Sequence, residues 1–82
     1  MTYSEKLKEL HHATTSNMRL YAEYARELKK MIDDGMTLDG EQIREQDHKF
    51  REFQSAMTDY NKLLGHVTRN RVPLDQEFQS FE

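Results

Sequence analysis

The sequence contains no cysteine or tryptophan, only one proline and three glycines in 82 residues. The lack of cysteine excludes disulfide bonds and thiolate metal sites, and it suits a reducing compartment. Long uninterrupted apolar runs are also missing, so we expect neither a signal peptide nor a transmembrane helix. These absences predict a single small cytoplasmic domain without membrane contact.

Charged residues make up 33% of the chain and hydrophobic residues 35%, so the core must be a narrow stripe. The net charge is −3. Residues 1–72 carry almost equal numbers of acidic and basic side chains, and the acidic excess lies in residues 73–82. A nucleic-acid-binding protein would show a basic stripe, so nucleic acid is an unlikely partner.

Apolar and aromatic residues recur in alternating steps of three and four in both halves of the chain, which is the heptad pattern of a coiled coil. The first half contains Tyr3, Leu7, Leu10, Thr14, Asn17, Tyr21, Tyr24, Leu28 and Met31. The second half contains Ile43, Gln46, Phe50, Phe53, Met57, Tyr60, Leu64 and Val67. If the chain reverses at Gly35, Met31 faces Ile43 and Tyr21 faces Phe53. The pattern therefore predicts an all-α fold, an antiparallel two-helix coiled-coil hairpin over residues 1–72.

Helix-terminating and helix-starting residues support this division. The first helix is predicted over residues 3–33, with Gly35 in the left-handed conformation after it. Asp39 and Gln42 resemble a capping box, so the second helix should begin near Asp39 and end near Asn70. The stretch 14–17 contains four poor helix formers and predicts a bend or fraying in the first helix.

Residues 73–82 form a separate segment in the sequence. Pro73 suits a first helical position, and Leu74, Phe78 and Phe81 share one face at helical spacing. We therefore predict a short C-terminal third helix. Its apolar face would pack on the open end of the hairpin, or the segment would be a docking tail for another protein.

A single seam between two helices buries little surface, so the hairpin is expected to need a dimer or a larger partner to complete it. Apolar residues also lie outside the seam. Ala13, Leu20, Ala56 and Leu63 share one flank, and Met18, Ala25 and Ile32 lie on the opposite flank of the first helix. We predict that the first of these flanks is an interface.

Candidate catalytic and metal-binding patterns are weak. Two Glu-x-x-His units, Glu9 with His12 and Glu45 with His48, have the spacing of helical di-iron sites. Both lie on outward heptad positions near opposite ends of the hairpin, so solvated surface is the better interpretation. No nucleophile–base motif is present, and a two-helix rod has no cleft for a small-molecule substrate. We therefore expect no enzyme activity, metal or cofactor.

The sequence thus predicts a small non-enzymatic protein-binding module: an accessory subunit, adaptor or inhibitor that docks an apolar helix face on a larger protein. Small size is typical of viral proteins that bind a host enzyme in the host cytoplasm. The alternatives are a self-assembling structural four-helix-bundle dimer and, less favoured, a nucleic-acid-binding helical dimer. The predicted partner-binding residues are Ala13, Leu20, Ala56, Leu63, Leu74, Phe78 and Phe81.

Overall fold

The computed structural model describes residues 1–80, which form two long helices, α1 (Tyr3–Asp33) and α2 (Gly40–Arg69). The helices run antiparallel and give a rod of 54 × 19 × 19 Å. Tyr3 at the start of α1 contacts His66 near the end of α2, with ring centroids 6.4 Å apart, and Tyr21 contacts Phe53 at 6.5 Å, which fixes the antiparallel direction. The predicted helical hairpin is therefore confirmed.

Both helices begin with a complete capping box. Thr2 accepts a hydrogen bond from the backbone N–H of Glu5, and the Glu5 carboxylate accepts one from the N–H of Thr2. Asp39 and Gln42 make the same reciprocal pair at the start of α2, as the sequence predicts. Each box satisfies two backbone donors that have no partner within their own helix.

Both helices end in a Schellman motif. After α1, Gly35 has φ +82°, its N–H bonds to Ile32 and the N–H of Met36 bonds to Met31. The left-handed glycine is the predicted one, since a Cβ is disfavoured in this conformation. After α2, Arg71 takes the same position with φ +50°, and the N–H of Val72 bonds to the carbonyl of Val67.

Helix α1 continues without interruption through the stretch 14–17, so the predicted fraying does not occur. The Thr14 hydroxyl donates to the Leu10 carbonyl at 2.9 Å. The Asn17 amide donates to the Ala13 carbonyl at 2.8 Å. These bonds to the preceding turn give the two polar side chains partners within the helix.

The core lies at the open end of the hairpin. Tyr3, Leu63 and Val67 are buried there. Four partly buried apolar side chains surround them: Leu7, Leu10, Val72 and Phe78. Leu28, near the turn, is the other buried apolar side chain among residues 1–80.

The predicted third helix does not form within residues 73–80. This part of the chain makes a turn, in which the N–H of Gln76 bonds to the carbonyl of Pro73, and then an extended stretch that pairs Glu77 with Thr2. We call residues 72–80 the strap.

The strap has a physical reason to be extended. The first N–H groups of α1 lack helical partners. The N–H of Tyr3 donates to the Gln76 carbonyl, and that of Ser4 donates to the Leu74 carbonyl. A helix of ten residues is marginal alone, and it would retain those carbonyls for its own bonds. The extended form instead caps α1 and delivers Phe78 to the core.

Candidate functional site

The predicted interface flank is not a continuous apolar surface. Leu63 is only 2% exposed and packs in the core beside Tyr3. Ala13 and Ala56 are half-buried, and Leu20 alone is well exposed. The groove beside Leu20 is lined largely by polar and charged side chains: Asn17, Glu45, His48, Lys49 and Glu52. We call this side the charged flank.

The placement of Leu63 reflects a rotation of α2 by one heptad position from the predicted seam. Every predicted seam residue of α1 is buried or half-buried. In α2, half of the prediction is correct: Gln46, Phe53, Tyr60 and Val67. The other four are exposed, and their N-terminal neighbours are in the seam instead: Gln42, Lys49, Ala56 and Leu63.

Contacts along the seam show how it accommodates these polar residues. The Lys49 ammonium lies 5.5 Å from the centre of the Tyr24 ring, so its aliphatic stem covers the aromatic surface. The Gln42 amide approaches the Met31 sulfur at 3.4 Å. Tyr21 contacts both Phe50 and Phe53, with ring centroids 5.4 and 6.5 Å apart. Phe50 nevertheless remains 40% exposed, at the edge of the seam.

The rotation creates a long exposed apolar face. It comprises one row from each helix, and the residues of a row are seven positions apart in the sequence. The α1 row is Met18, Ala25 and Ile32, and the α2 row is Ile43, Phe50, Met57 and Leu64. We call these seven residues the heptad face. Six of the seven are exposed, and Ala25 is half-buried. In the antiparallel register the two rows run side by side from the turn to the level of Met18 and Met57. Beyond that level the α1 row continues with His11, which is exposed and contacts Tyr60, so the apolar face narrows to Leu64 of α2.

The heptad face carries no charged side chain. On the heptad rows that border it, Lys8 and Lys29 lie outside the α1 row and Asp47 lies outside the α2 row. The other bordering residues are small or uncharged: Thr15, Ala22, Gln54, Asn61 and Thr68. The two flanks of the hairpin therefore differ in chemistry, and only the heptad face is apolar along its length.

Two of the three predicted partner-binding residues of the C-terminal tail, Leu74 and Phe78, lie in the strap. Phe78 packs in the core, with its ring 5.4 Å from that of Tyr3 and the Lys6 ammonium 5.6 Å above it. Leu74 is exposed. Phe81 lies outside the described residues. Of the two predicted arrangements for the tail, the structure shows Phe78 packed on the open end of the hairpin.

Two charged groups at the open end have shifted pKa values. The hydrogen bond that the Met1 amino group donates to the Glu77 carboxylate, and then the charge of that carboxylate, hold the pKa of the amino group above its ordinary value. Hydrogen bonds from the backbone and side chain of Thr2 lower the pKa of Glu5. Both groups lie at the start of α1 and stabilise it.

The Glu-x-x-His units are solvated surface. His12 is exposed, and Glu9 pairs with Lys6 at 3.0 Å. In the other unit, Glu45 pairs with Lys49 and His48 faces Glu52. Within residues 1–80, no three histidine, aspartate or glutamate side chains cluster as metal ligands would.

Over the same residues, neither helix combines the length and apolar character that crossing a bilayer requires. The fold and the surface together define an antiparallel two-helix hairpin with a strapped open end and one uncovered apolar face. The chain matches no protein family, curated protein or solved structure.

The α2 half of the heptad face was hidden from sequence reasoning because its residues were assigned to the seam. A signal was nevertheless present. Apolar residues occur on three adjacent heptad rows of each helix, although the third α2 row also contains Gln42 and Lys49, whereas a two-stranded seam uses two rows. The third row is the sequence mark of an additional packing surface.

Proposed function

We propose that this chain is a small non-enzymatic protein-binding module whose heptad face packs against helices of a partner. The observation that carries the proposal is the exposure of both rows of apolar residues, from Ile32 to Met18 on α1 and from Ile43 to Leu64 on α2. Soluble monomers rarely expose a contiguous apolar stripe of this extent. The accessory-subunit, adaptor and inhibitor roles are all uses of such a surface.

The chemistry of the face specifies the kind of partner. Residues spaced by seven on straight helices present knobs to another helix with the same repeat, and a long helix or helix pair matches them best. Met18 and Met57 contribute flexible side chains that adapt to a partner surface. The partner should therefore offer apolar residues at heptad spacing over several helical turns, with little charge in the contact.

A photo-crosslinking amino acid placed at Met18, in full-length protein expressed in cells, tests this proposal. The matched control carries the same amino acid at Leu20, which is equally exposed on the charged flank, 51% against 48% for Met18. We expect crosslinked protein adducts at position 18 and few at position 20. Mass spectrometry identifies the adduct, including a second copy of this chain.

Charge substitutions supply the second readout. Ile32→Glu should remove the adducts formed from position 18, whereas Leu20→Glu should leave them. Equal crosslinking from both flanks, or adducts that survive Ile32→Glu, would contradict the proposal. Circular dichroism of each variant confirms that the two helices are retained.

A further inference from the structure

We infer that the partner at the heptad face is a second copy of this chain, and that two hairpins pack face to face as a four-helix bundle with both turns at the same end. The inference rests on the proposed function, since it names whose helices the heptad face binds. Four observations carry it: the width of the apolar stripe, the area of the face, its shape and its bordering charges.

The apolar stripe has the width expected of a bundle helix. Two adjacent heptad rows suffice for a two-stranded coiled coil, whereas a helix in a four-helix bundle contacts two neighbours and uses three rows. Helices α1 and α2 have 31 and 30 residues and both carry a third row. A second copy supplies two helices of the same length and the same repeat, so the apolar rows match from the turn to the level of Met18, and Leu64 lies opposite His11 of the second copy.

The surface area also fits a dimer. The chain exposes 6192 Å², about 1,000 Å² more than a compact protein of 9.8 kDa. One side of a 54 × 19 Å rod is large enough for the roughly 800 Å² that each partner buries in a standard interface. A copy seated on the heptad face would therefore bury about the surplus surface of the isolated hairpin.

Side-chain sizes fit a two-fold axis parallel to the helices. That axis sets α1 of one copy opposite α2 of the other, running antiparallel, and joins the two turns at one end. In the register of the hairpin, Ala25 then lies opposite Phe50 of the second copy. Met18 lies opposite Met57, and Ile32 opposite Ile43. The largest side chain of the face is thus opposite the smallest.

The bordering charges favour the same arrangement. Lys29 of one copy and Asp47 of the other fall on facing rows, one or two residues (about 1.5–3 Å) apart in level, and both side chains lean toward each other. The reverse orientation sets Lys29 near Thr15 and Asp47 near Asn61, so it forms no ion pair. Within one chain, Lys29 pairs with Asp33 and Asp47 pairs with Arg51, and both ion pairs are exposed to solvent. Such pairs are worth little and exchange readily.

Analytical ultracentrifugation of the full chain tests the dimer. We expect a concentration-dependent dimer for the natural sequence. The double variant Met18→Glu with Ile32→Glu should raise the dissociation constant by roughly a hundredfold or more, since each charge would be buried in the interface. Leu20→Glu, of similar exposure on the charged flank, should leave it unchanged. A helical circular dichroism spectrum for each variant separates loss of association from loss of folding.

Spin labels at the turn test the orientation. The chain has no cysteine, so Met36→Cys, at an exposed turn residue, gives a single labelled site. Turns at the same end place the two labels within the width of the bundle. Turns at opposite ends place them about the rod length of 54 Å apart. The short distance supports the inference, and the long one overturns the orientation.

The outcomes also separate this inference from the proposed function. A natural chain that stays monomeric up to high concentration overturns the second copy as the partner. If the crosslinks from Met18 then reach a different protein and Ile32→Glu removes them, the heptad face is still a binding site and the proposed function stands. A dimer that resists Met18→Glu with Ile32→Glu overturns the heptad face as the dimer interface, and the proposed function is also contradicted if the crosslinks from Met18 survive Ile32→Glu.

Discussion

Replacing Leu63 and Leu64 by alanine, one at a time, tests the rotation of α2 on which the heptad face depends. Leu63 is 2% exposed and Leu64 is 39% exposed. The two residues are adjacent and chemically identical, so helix propensity and chain composition change equally. Only the direction of each side chain differs between the variants.

The expected costs differ by more than the error of the measurement. Leu63→Ala removes a core side chain beside Tyr3 and Val67 and leaves a cavity, which costs about 3 kcal/mol. Leu64→Ala gives up partial burial without a closed cavity, which costs about 1 kcal/mol. At the lower end of the usual range per residue, a domain of 82 residues has a free energy of unfolding of about 4 kcal/mol. Leu63→Ala should therefore leave a marginally folded protein.

Urea unfolding followed by circular dichroism gives both values. Both substitutions are best made in the Met18→Glu with Ile32→Glu background, since a dimer contact at Leu64 would add to its cost. Unchanged denaturant slopes show that the folded and unfolded states are comparable across variants. If Leu64→Ala costs as much as Leu63→Ala there, α2 is oriented as the heptad pattern alone predicts, and the heptad face does not exist in this form.

Three further predictions concern stability. Gly35→Ala should lower the free energy of unfolding by about 1 kcal/mol and Arg71→Gly should raise it by up to about 1 kcal/mol, since both residues are left-handed at a helix end. If urea melts show that both substitutions change stability in the same direction, the paired Schellman ends are contradicted. Gln46→Leu should raise the free energy of unfolding by about 1 kcal/mol, because the buried Oε1 has no hydrogen-bond partner within residues 1–80; a lower melting temperature would contradict this. The stabilisation of the folded state by Glu5 is present above its ordinary pKa of 4.5 and is lost as the pH falls through the lowered pKa. The stabilisation by the Met1 amino group is present below its ordinary pKa of 8.0 and is lost as the pH rises through the raised pKa. Stability should therefore peak between these limits, and thermal melts of Glu5→Gln should lose the acid-side change.

The helices, the antiparallel turn and the caps at Gly35 and Asp39 follow from local rules, and the sequence predicts them well, whereas the Thr2–Glu5 capping box and the left-handed Arg71 were not predicted. Gly35, Asp39 and Gln42 act through their own backbone neighbourhood, which is visible in the sequence. The rotation of α2 is a different kind of property. Choosing between the row of Phe50 and the row of Lys49 requires knowing how Tyr21 and Tyr24 share the space between the helices. Apolar character favours Phe50, and the packing instead retains the stem of Lys49.

The third helix was mispredicted for a related reason. Leu74 and Phe78 have helical spacing, and periodicity gives no weight to hydrogen-bond donors elsewhere in the chain. The N–H groups of Tyr3 and Ser4 need partners, and the strap supplies carbonyls from an extended backbone. Pairing between the two ends of a chain is a tertiary event. A local pattern of ten residues therefore predicts the wrong conformation while it correctly marks Phe78 as apolar and partly buried.

The strap and the heptad face occupy different sides of the hairpin, and this separation bears on how the molecule works. Phe78 lies in a pocket with Lys6, Leu10 and Asp59, on the side of the charged flank. Leu64, at the same end of the rod, belongs to the other side and remains exposed. The strap thus closes the core and caps α1 without covering any residue of the heptad face. The proposed bundle is therefore compatible with both straps in place, because the strap stabilises the hairpin from the side that the proposed interface does not use.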